Sequence, residues 1–220
     1  MFFPVSMIYF KNTRSAMVLS IVVLCAALCA NAMDRDLVRA GIGKVFDREF
    51  EEARVYIEKG LEDRNEIRGF MKTWILLMEN LDKKNPVFEK QCSNSCGAYE
   101  KASQGSNADS LLLGGMWQGL MALYLTGINE TLAAYRYGAR ACEMLKKSLM
   151  VDPEKYDAYY GLGIYYKMRF ELGQTLWFVP SSKNDRERAK TYLERAWAKG
   201  EFTRELSAHQ LIDISAVGMQ

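Results

Sequence analysis

The sequence contains few of the residues from which metal sites and acid–base catalytic centres are usually built. It has one histidine, His209, and five cysteines in 220 residues. Histidine is the side chain that titrates near neutral pH and the commonest metal ligand. No serine lies in a strand–turn–helix elbow, and the segment "GIGKVF" lacks the Lys-Ser/Thr ending of a phosphate loop. We therefore expect no cofactor, no bound metal and no enzymatic activity.

Proline is also scarce, and the pattern of a β-strand is missing. Only Pro86, Pro153 and Pro180 follow the N-terminal segment, and no stretch sustains the polar/apolar alternation of a half-buried strand. Apolar residues instead recur every three or four positions, which is the period of an α-helix. The pattern predicts an all-α protein, in which Asp109 and Asp185 cap two of the helices.

Residues 1–32 have the composition of a secretory signal peptide. Lys11 and Arg14 precede the apolar run "SAMVLSIVVLCAALCA", and Ala30-Asn31-Ala32 forms a small-x-small cleavage site. The apolar run is shorter than the roughly 20 residues that a membrane-spanning helix needs. We predict cleavage after Ala32 and export to the periplasm or cell envelope, with a retained membrane anchor as the alternative.

Removal of residues 1–32 would leave a chain with no net charge. The whole sequence has 29 Lys and Arg and 27 Asp and Glu, and the leader contains two of the cations and none of the acids. A general binder of nucleic acid or anionic membranes would need a basic excess. We therefore expect no nucleic-acid partner, and membrane contact only through an uncleaved leader or an exposed apolar insert.

Three cysteines follow the predicted cleavage site: Cys92, Cys96 and Cys142. Disulfides persist in the compartments that exported proteins occupy, and a turn-forming trio, Ser93-Asn94-Ser95, separates the first two cysteines. The segment fits a small Cys92–Cys96 disulfide loop, a pair of free thiols, or a metal site for which few other ligands remain. The sequence alone does not decide between the disulfide and the free thiols, and the shortage of further ligands disfavours the metal site.

Helices of the C-terminal half share a pattern of large and small residues. In "DPEKYDAYYGLGIYYK", Tyr159 is followed by Leu162-Gly163 and then by Tyr166. The preceding and following helices each contain a small–large–small series, namely Ala141, Leu145 and Ser148, then Ala189, Leu193 and Ala196. A weaker copy near the N-terminus comprises Leu37, Gly41, Phe50, Ala53, Ile57 and Gly60.

This pattern resembles the tetratricopeptide repeat (TPR). From about Leu111 onward the chain resembles a largely uncharacterised group of exported bacterial TPR proteins, through Leu113-Gly114-Gly115, the tyrosine motif and "NDRERAKTYLERAWAKGEFTRE" at 184–205. The resemblance implies antiparallel helix pairs stacked in a right-handed superhelix. Degenerate TPR-like helices with a loop would then occupy 33–108, and further TPR-like helices 109–220. It implies no assigned activity.

One predicted repeat contains an insert. The spacing from Tyr166 to Ala189 exceeds that of an ordinary repeat by about fourteen residues. The extra segment, 170–184, contains the apolar Trp177, Phe178 and Val179 and is longer than most connections in compact domains. We expect this aromatic insert to fold over the repeat surface, bind a partner or touch a membrane.

The tyrosines of the motif divide into predicted core and predicted surface positions. Tyr159 and Tyr166 lie seven residues apart, on one helix face, and match internal positions of the repeat, so we expect them in the core. Tyr160 and Tyr165 fall on other faces and are predicted to be exposed. The predicted partner-binding residues are Tyr160, Tyr165, Trp177, Phe178, Arg136, Arg140, Lys167 and Arg169. Core packing is the alternative for the aromatics, and a solvated helix face for the cations.

Stacked helix pairs commonly accept a peptide or helix on their concave surface. The leading hypothesis is therefore a non-catalytic adaptor of the bacterial cell envelope that binds another protein. One alternative is a structural subunit that self-associates through its last helix, 203–214, which would otherwise lack a partner unless it caps the stack. Another is a glycan- or lipid-binding protein that uses the aromatic insert.

Overall fold

In the computed structural model, residues 35–80, 84–102, 107–174, 176–177, 179–200 and 203–216 are described. Within these ranges the chain forms nine α-helices and no strand: α1 (Arg35–Phe46), α2 (Phe50–Gly60), α3 (Asn65–Glu79), α4 (Pro86–Ala102), α5 (Ala108–Gly127), α6 (Thr131–Val151), α7 (Tyr156–Gly173), α8 (Lys183–Lys199) and α9 (Arg204–Ala216). The predicted all-α fold is confirmed for these residues. The predicted signal peptide lies outside them.

Consecutive helices pack against each other in pairs. The most extensive contacts join α5 with α6, α7 with α8, and α1 with α2. A connection of only three residues, 128–130, makes the α5–α6 pair antiparallel. Helix α3 packs against α2, α4 and α5, while α7 also contacts α5 and α6. The helices therefore form one continuous series of pairs with α5 near its centre.

Glycine at the crossing of a helix pair lets the two backbones approach closely. A Cβ added at Gly115 would lie 2.9 Å from Leu145 Cγ, and one at Gly163 would lie 2.6 Å from Leu193 Cγ. In each pair, the backbone carbonyl oxygen one turn before the leucine is 3.3 Å from the same position. A larger residue would have to push the helices apart, because helix interfaces are close-packed.

One hydrophobic core runs through the described helices from α1 to α9. Large aromatic side chains meet near its centre: the Phe70 ring contacts Trp117 edge-on at 5.0 Å, and Phe88 lies 4.7 Å from Tyr124. Most residues of α5 are buried. This agrees with the sequence of that helix, which is apolar almost all round.

The backbone between Cys92 and Cys96 differs from the turn that the sequence predicts. Helix α4 continues without a break through Ser93-Asn94-Ser95, so the predicted turn is wrong. Cys92 and Cys96 are four residues apart, on one helix face, and are 0% and 4% exposed. Burying that apolar face against α5 outweighs the turn preference of the three polar residues between them.

The N-terminus of α5 also differs in detail. Asn107 caps the helix, because its side-chain oxygen accepts a hydrogen bond from the backbone N–H of Ser110 at 2.9 Å. Asp109, the predicted cap, lies in the first turn, and its Oδ1 is 2.8 Å from Lys155 Nζ. Helix α4 ends at Ala102 and α5 begins at Ala108, and residues 103–106 between them lie outside the described ranges.

The last helix has an intramolecular neighbour. Helix α9 packs against α8, and two buried polar contacts tie this end of the chain to α7. Asp157 Oδ1 accepts hydrogen bonds from the backbone N–H and hydroxyl of Thr203 at 3.0 and 2.8 Å, and Lys167 Nζ donates to Gln210 Oε1 at 2.8 Å. Helix α9 therefore covers the end of the helical series, while self-association through it stays a prediction.

The close helix contact at Gly163 can be tested with a pair of glycine substitutions. Gly163→Ala places a methyl group against Leu193, so we expect it to lower the free energy of unfolding by about 1–3 kcal/mol. Gly69 is a matched control, because a Cβ there meets nothing within 4 Å. Gly69→Ala should be neutral or stabilise by up to about 1 kcal/mol. Equal effects of the two changes in urea unfolding would contradict this packing.

Candidate functional site

An apolar groove opens between α5, α6 and α7. Its enclosed volume is about 120 Å³. Most of its wall consists of glycine, alanine and aliphatic side chains, of which Gly119, Ala122, Ala134, Gly138, Ile164 and Met168 are representative. Polar atoms enter only at its edges, through Thr126, Thr131, Tyr135, Tyr165 and Arg169. We call this feature the apolar groove.

The groove exists because the C-terminal helix pairs are longer than the N-terminal one. The contacting residues Gly115 and Leu145 are thirty positions apart in the sequence, as are Gly163 and Leu193, whereas Gly41 contacts Ile57 only sixteen positions later. In the α5–α6 pair the extra length is helical, since only residues 128–130 separate the two helices. The groove lies mainly in these extended parts.

Small residues keep the groove open. They recur every three or four positions on two facing helices, as Gly115, Gly119 and Ala122 on α5 and Ala134, Gly138 and Ala141 on α6. A Cβ added at Gly138 would meet only the Tyr165 ring, at 3.8 Å, so the space above it is unfilled. These residues were absent from the predicted site, although their spacing in the sequence was a usable signal.

The segment predicted as the aromatic insert is partly helical. Helix α7 continues to Gly173 and α8 begins at Lys183, so the connection is 174–182 rather than 170–184. This connection folds tightly back, because a Cβ added at Gly173 would lie only 2.0 Å from Ser181 Oγ.

The side chains of this connection divide between interior and solvent. Val179 is 4% exposed, whereas Trp177 is 95% exposed. Phe178 lies outside the described residues. Trp177 therefore presents its indole to solvent, shortly after Leu172, the last residue of α7 that lines the apolar groove.

Two of the predicted partner-binding residues are buried. Tyr160 is 0% exposed and Lys167 is 7% exposed with its ammonium bonded to Gln210, so the prediction that these side chains face solvent is wrong. Helix α7 contacts α5, α6 and α8 and is tied to α9, which leaves it no fully open face. Tyr159, a predicted core residue, is only half-buried and packs against the core.

The other predicted residues are distributed over two places. Tyr165 is half-buried at the groove, where burial raises its pKa to about 12. Arg136 and Arg140 are exposed on α6 and do not line the groove. Arg140 Nη1 lies 3.4 Å from Glu100 Oε1, and its guanidinium lies 5.6 Å from the centre of the Tyr137 ring.

Arg169 links the groove to the connection that follows α7. Its Nε donates a hydrogen bond to Asp185 Oδ2 at 2.9 Å, and its Nη2 donates to Asp185 Oδ1. The backbone N–H of Ser182 donates to Asp185 Oδ2, also at 2.9 Å. Asp185 thus completes a capping box with the N-cap residue Ser182, instead of being the N-cap itself. One carboxylate holds α7, the connection and α8 together.

Opposing effects act on the Asp185 carboxylate. Its side chain is 0% exposed, and burial alone would raise its pKa. Hydrogen bonds from Arg169 and from the Ser182 backbone outweigh this effect and hold the pKa below its usual value. The same bond raises the pKa of Arg169. The pair is therefore ionised at neutral pH.

The three cysteines among the described residues are free thiols. Cys92, Cys96 and Cys142 are all buried, and Cys92 Sγ lies 3.6 Å from the Trp117 carbonyl oxygen, to which it donates. A hydrogen bond with Cys96, together with burial, raises the pKa of Cys92. Within the described ranges, no group of three or more His, Cys, Asp or Glu side chains is placed to hold a metal ion.

Among the described helices, none has both the length and the apolar content to cross a bilayer. No family model, curated protein or solved structure matches the sequence.

The Arg169–Asp185 pair can be tested by removing the charge of the buried carboxylate. Asp185→Asn leaves Arg169 without its anionic partner, so we expect a loss of about 2–3 kcal/mol in the free energy of unfolding at pH 7. Because the folded-state pKa is lowered, the stabilisation is fully present well above the unfolded pKa of about 3.9. It should disappear as the pH falls below about 4, so that the two proteins converge in acid.

Glu194→Gln, on the same helix, is the control for this substitution. Glu194 forms an i,i+4 pair with Lys190 in which both side chains are 52% exposed, and such pairs contribute less than about 0.5 kcal/mol. A loss of stability as large as that of Asp185→Asn would contradict a special role for the buried carboxylate.

The thiol state can be measured by alkylation and mass spectrometry. For residues 33–220 we expect three reactive thiols after unfolding and slow labelling of the native protein. All three thiols are buried, and the raised pKa values of Cys92 and Cys142 leave them little thiolate. Fewer than three labels after unfolding without reductant would instead indicate a disulfide.

Proposed function

We propose that the chain is a non-catalytic adaptor that holds an amphipathic helix of a partner protein in the apolar groove. The observation that carries this proposal is the groove itself, an unfilled apolar space bounded by three helices. An open apolar surface of this kind is a typical site for protein contacts. Amphipathic helices bind by placing their apolar face in such grooves.

The size of the groove favours a protein partner over a small ligand. Pockets that enclose drug-sized molecules measure roughly 300–1,000 Å³, whereas this groove encloses about 120 Å³. That volume is somewhat less than the ~150 Å³ of a cavity that accepts benzene. It suits one large apolar side chain, and a single buried anchor often dominates the energetics of a protein interface.

The shape of the groove suits a helix of about three turns. Its lining residues on α5 extend from Gly115 to Thr126, a rise of about 16 Å. A partner helix would lie along the mouth of the groove, and one of its large apolar side chains would enter the space between the glycine and alanine residues of the two walls. The exposed Trp177 follows Leu172, the last groove-lining residue of α7, by five positions in the sequence, and it is a candidate for a further aromatic contact with the partner.

We also propose that the helix pairs form a TPR-like superhelix. The support is the matching contact of a glycine with a leucine in the α5–α6 and α7–α8 pairs, together with Gly41 and Ile57 in α1–α2. In the two C-terminal pairs, the repeats would be lengthened by about fourteen residues each relative to the TPR. The groove would then lie between the parts of these helices that extend beyond the length of an ordinary repeat.

The proposed location of this adaptor is the bacterial cell envelope. The support is the leader-like composition of residues 1–32. In that compartment the partner would be another envelope protein. A second copy of the chain is the competing partner, as the hypothesis of a self-associating subunit requires.

Filling the groove tests the proposed function. Gly138→Leu would place an aliphatic side chain in the open space beside Tyr165. We expect it to reduce photo-crosslinking of an envelope partner at least tenfold when a photo-reactive phenylalanine analogue replaces Tyr135, at the edge of the groove. It should also reduce the fluorescence enhancement of the apolar dye anilinonaphthalene sulfonate. Stability should be retained, since leucine favours a helix more than glycine does.

Gly43→Leu is the matched control, since Gly43 is an exposed helical glycine remote from the groove with open space around it. It should crosslink the partner and bind the dye like the wild type. Equal crosslinking by Gly138→Leu would exclude the groove as the binding site. If crosslinks form only between copies of the chain, the result would favour a self-associating subunit over the adaptor.

A further inference from the structure

Five tyrosines form a continuous row over α7 and α8. Tyr156 lies 6.1 Å from Tyr159, Tyr159 lies 5.8 Å from Tyr192, and Tyr192 lies 5.6 Å from Tyr166, measured between ring centres. Tyr165 continues the row with an edge-on contact of 5.4 Å to Tyr166. We call these five residues the tyrosine row.

Cations from three helices lie over these rings. Lys199 Nζ is 4.9 Å from the centre of the Tyr156 ring, and the Arg195 guanidinium is 5.2 Å from that of Tyr159. The Tyr166 ring is approached by three cations at 4.7–5.5 Å, which are Arg169, Lys146 and Arg188. These separations are within the range of cation–π attraction.

Few carboxylates balance these cations. Asp185 pairs with Arg169 and lies 3.9 Å from Arg188 at the nearest atoms. Glu154 is close enough to Lys199 to raise its pKa, after the larger effect of the Tyr156 hydroxyl, to which Lys199 donates at 3.0 Å. For Lys146 and Arg195, the described residues supply no ion pair. Among the described residues, the ion pairs and close charges of these five cations therefore involve two carboxylates, although the charges of the chain beyond its leader are balanced.

A cation that is attracted to an aromatic ring can still bind an anion. The ring attracts the positive charge but does not occupy the N–H donors at the edge of a guanidinium. Arg188 and Arg195 are exposed, so those donors can reach a carboxylate in the two-bond geometry that arginine favours. The rings also hold the cations in place before any ligand arrives, which lowers the entropy lost on binding.

We propose that the tyrosine row and its cations bind an acidic peptide segment of a partner protein. Arg188, Arg195 and Lys199 follow one face of α8 at steps of seven and four residues. They span about 16 Å along the helix axis, which an extended chain covers in about five residues. Acidic side chains at intervals of two or three residues would face successive cations.

A peptide fits this surface better than a nucleic acid does. Single-stranded nucleic acids bind chiefly by stacking bases on open aromatic faces. Here cations already lie over Tyr156, Tyr159 and Tyr166, and Tyr192 is stacked between two other rings. The surface therefore offers positive charge instead of open rings.

The test uses fluorescein-labelled hexaglutamate, with hexaglutamine as the uncharged control, in anisotropy titrations of residues 33–220 at low salt. We expect saturable binding of hexaglutamate that weakens as salt is added. The triple variant Arg188→Gln/Arg195→Gln/Lys199→Gln should bind at least tenfold more weakly. Lys59→Gln/Lys90→Gln/Lys101→Gln removes three exposed cations from α2 and α4 and should bind like the wild type.

The proposal is overturned by equal weakening in the two triple variants, which would indicate dependence on net charge alone. It is also overturned if hexaglutamate does not bind, or if oligothymidine or phosphatidylglycerol vesicles bind more tightly than hexaglutamate. Arg195→Glu, a single exposed substitution, gives the same comparison if the triple variant fails to fold. Gly138→Leu should bind hexaglutamate normally, so failure at this surface and failure of the groove are distinguishable.

Discussion

Helix backbones can approach each other only where no side chain stands between them, and this constraint organises the C-terminal half of the molecule. Gly115 against Leu145 and Gly163 against Leu193 bring two helix pairs to the same close contact. From these contacts the helices continue for two or more further turns, and small residues on α5 and α6 keep those turns from filling the space between them. The apolar groove therefore results from where the two helices of each pair contact each other and from how far they extend beyond that contact.

Arg169 is the residue at which the main features of the protein meet. It lines the apolar groove, it is bonded to the buried Asp185 that starts α8, and its guanidinium lies over Tyr166 in the tyrosine row. The groove and the cationic surface are thus neighbours with different chemistry. A single partner with an apolar helix next to an acidic segment would satisfy the two proposed sites together. Burial of the ion pair holds this junction in one geometry.

Much of the architecture was predictable because it depends on neighbours in sequence. The helical period, the glycine–leucine pattern and the burial of α5 all follow from local spacing. The connection after α7 was located but its limits were misplaced, because residues 170–173 continue the helix, where Leu172 lines the groove. The groove itself was missed, since a small residue in an apolar helix can mark either a close contact or an empty space.

The sequence by itself determined that the described chain is helical, that α5 is deeply buried, and where two backbones can touch. These properties depend on periodicity and residue size. Only the tertiary structure decided that Tyr160 and Lys167 are buried, that Trp177 is exposed, and that cations from α6, α7 and α8 gather over one row of tyrosines. Whether a helix face meets solvent depends on which distant helices cover it, and the local pattern of residues carries no information about that.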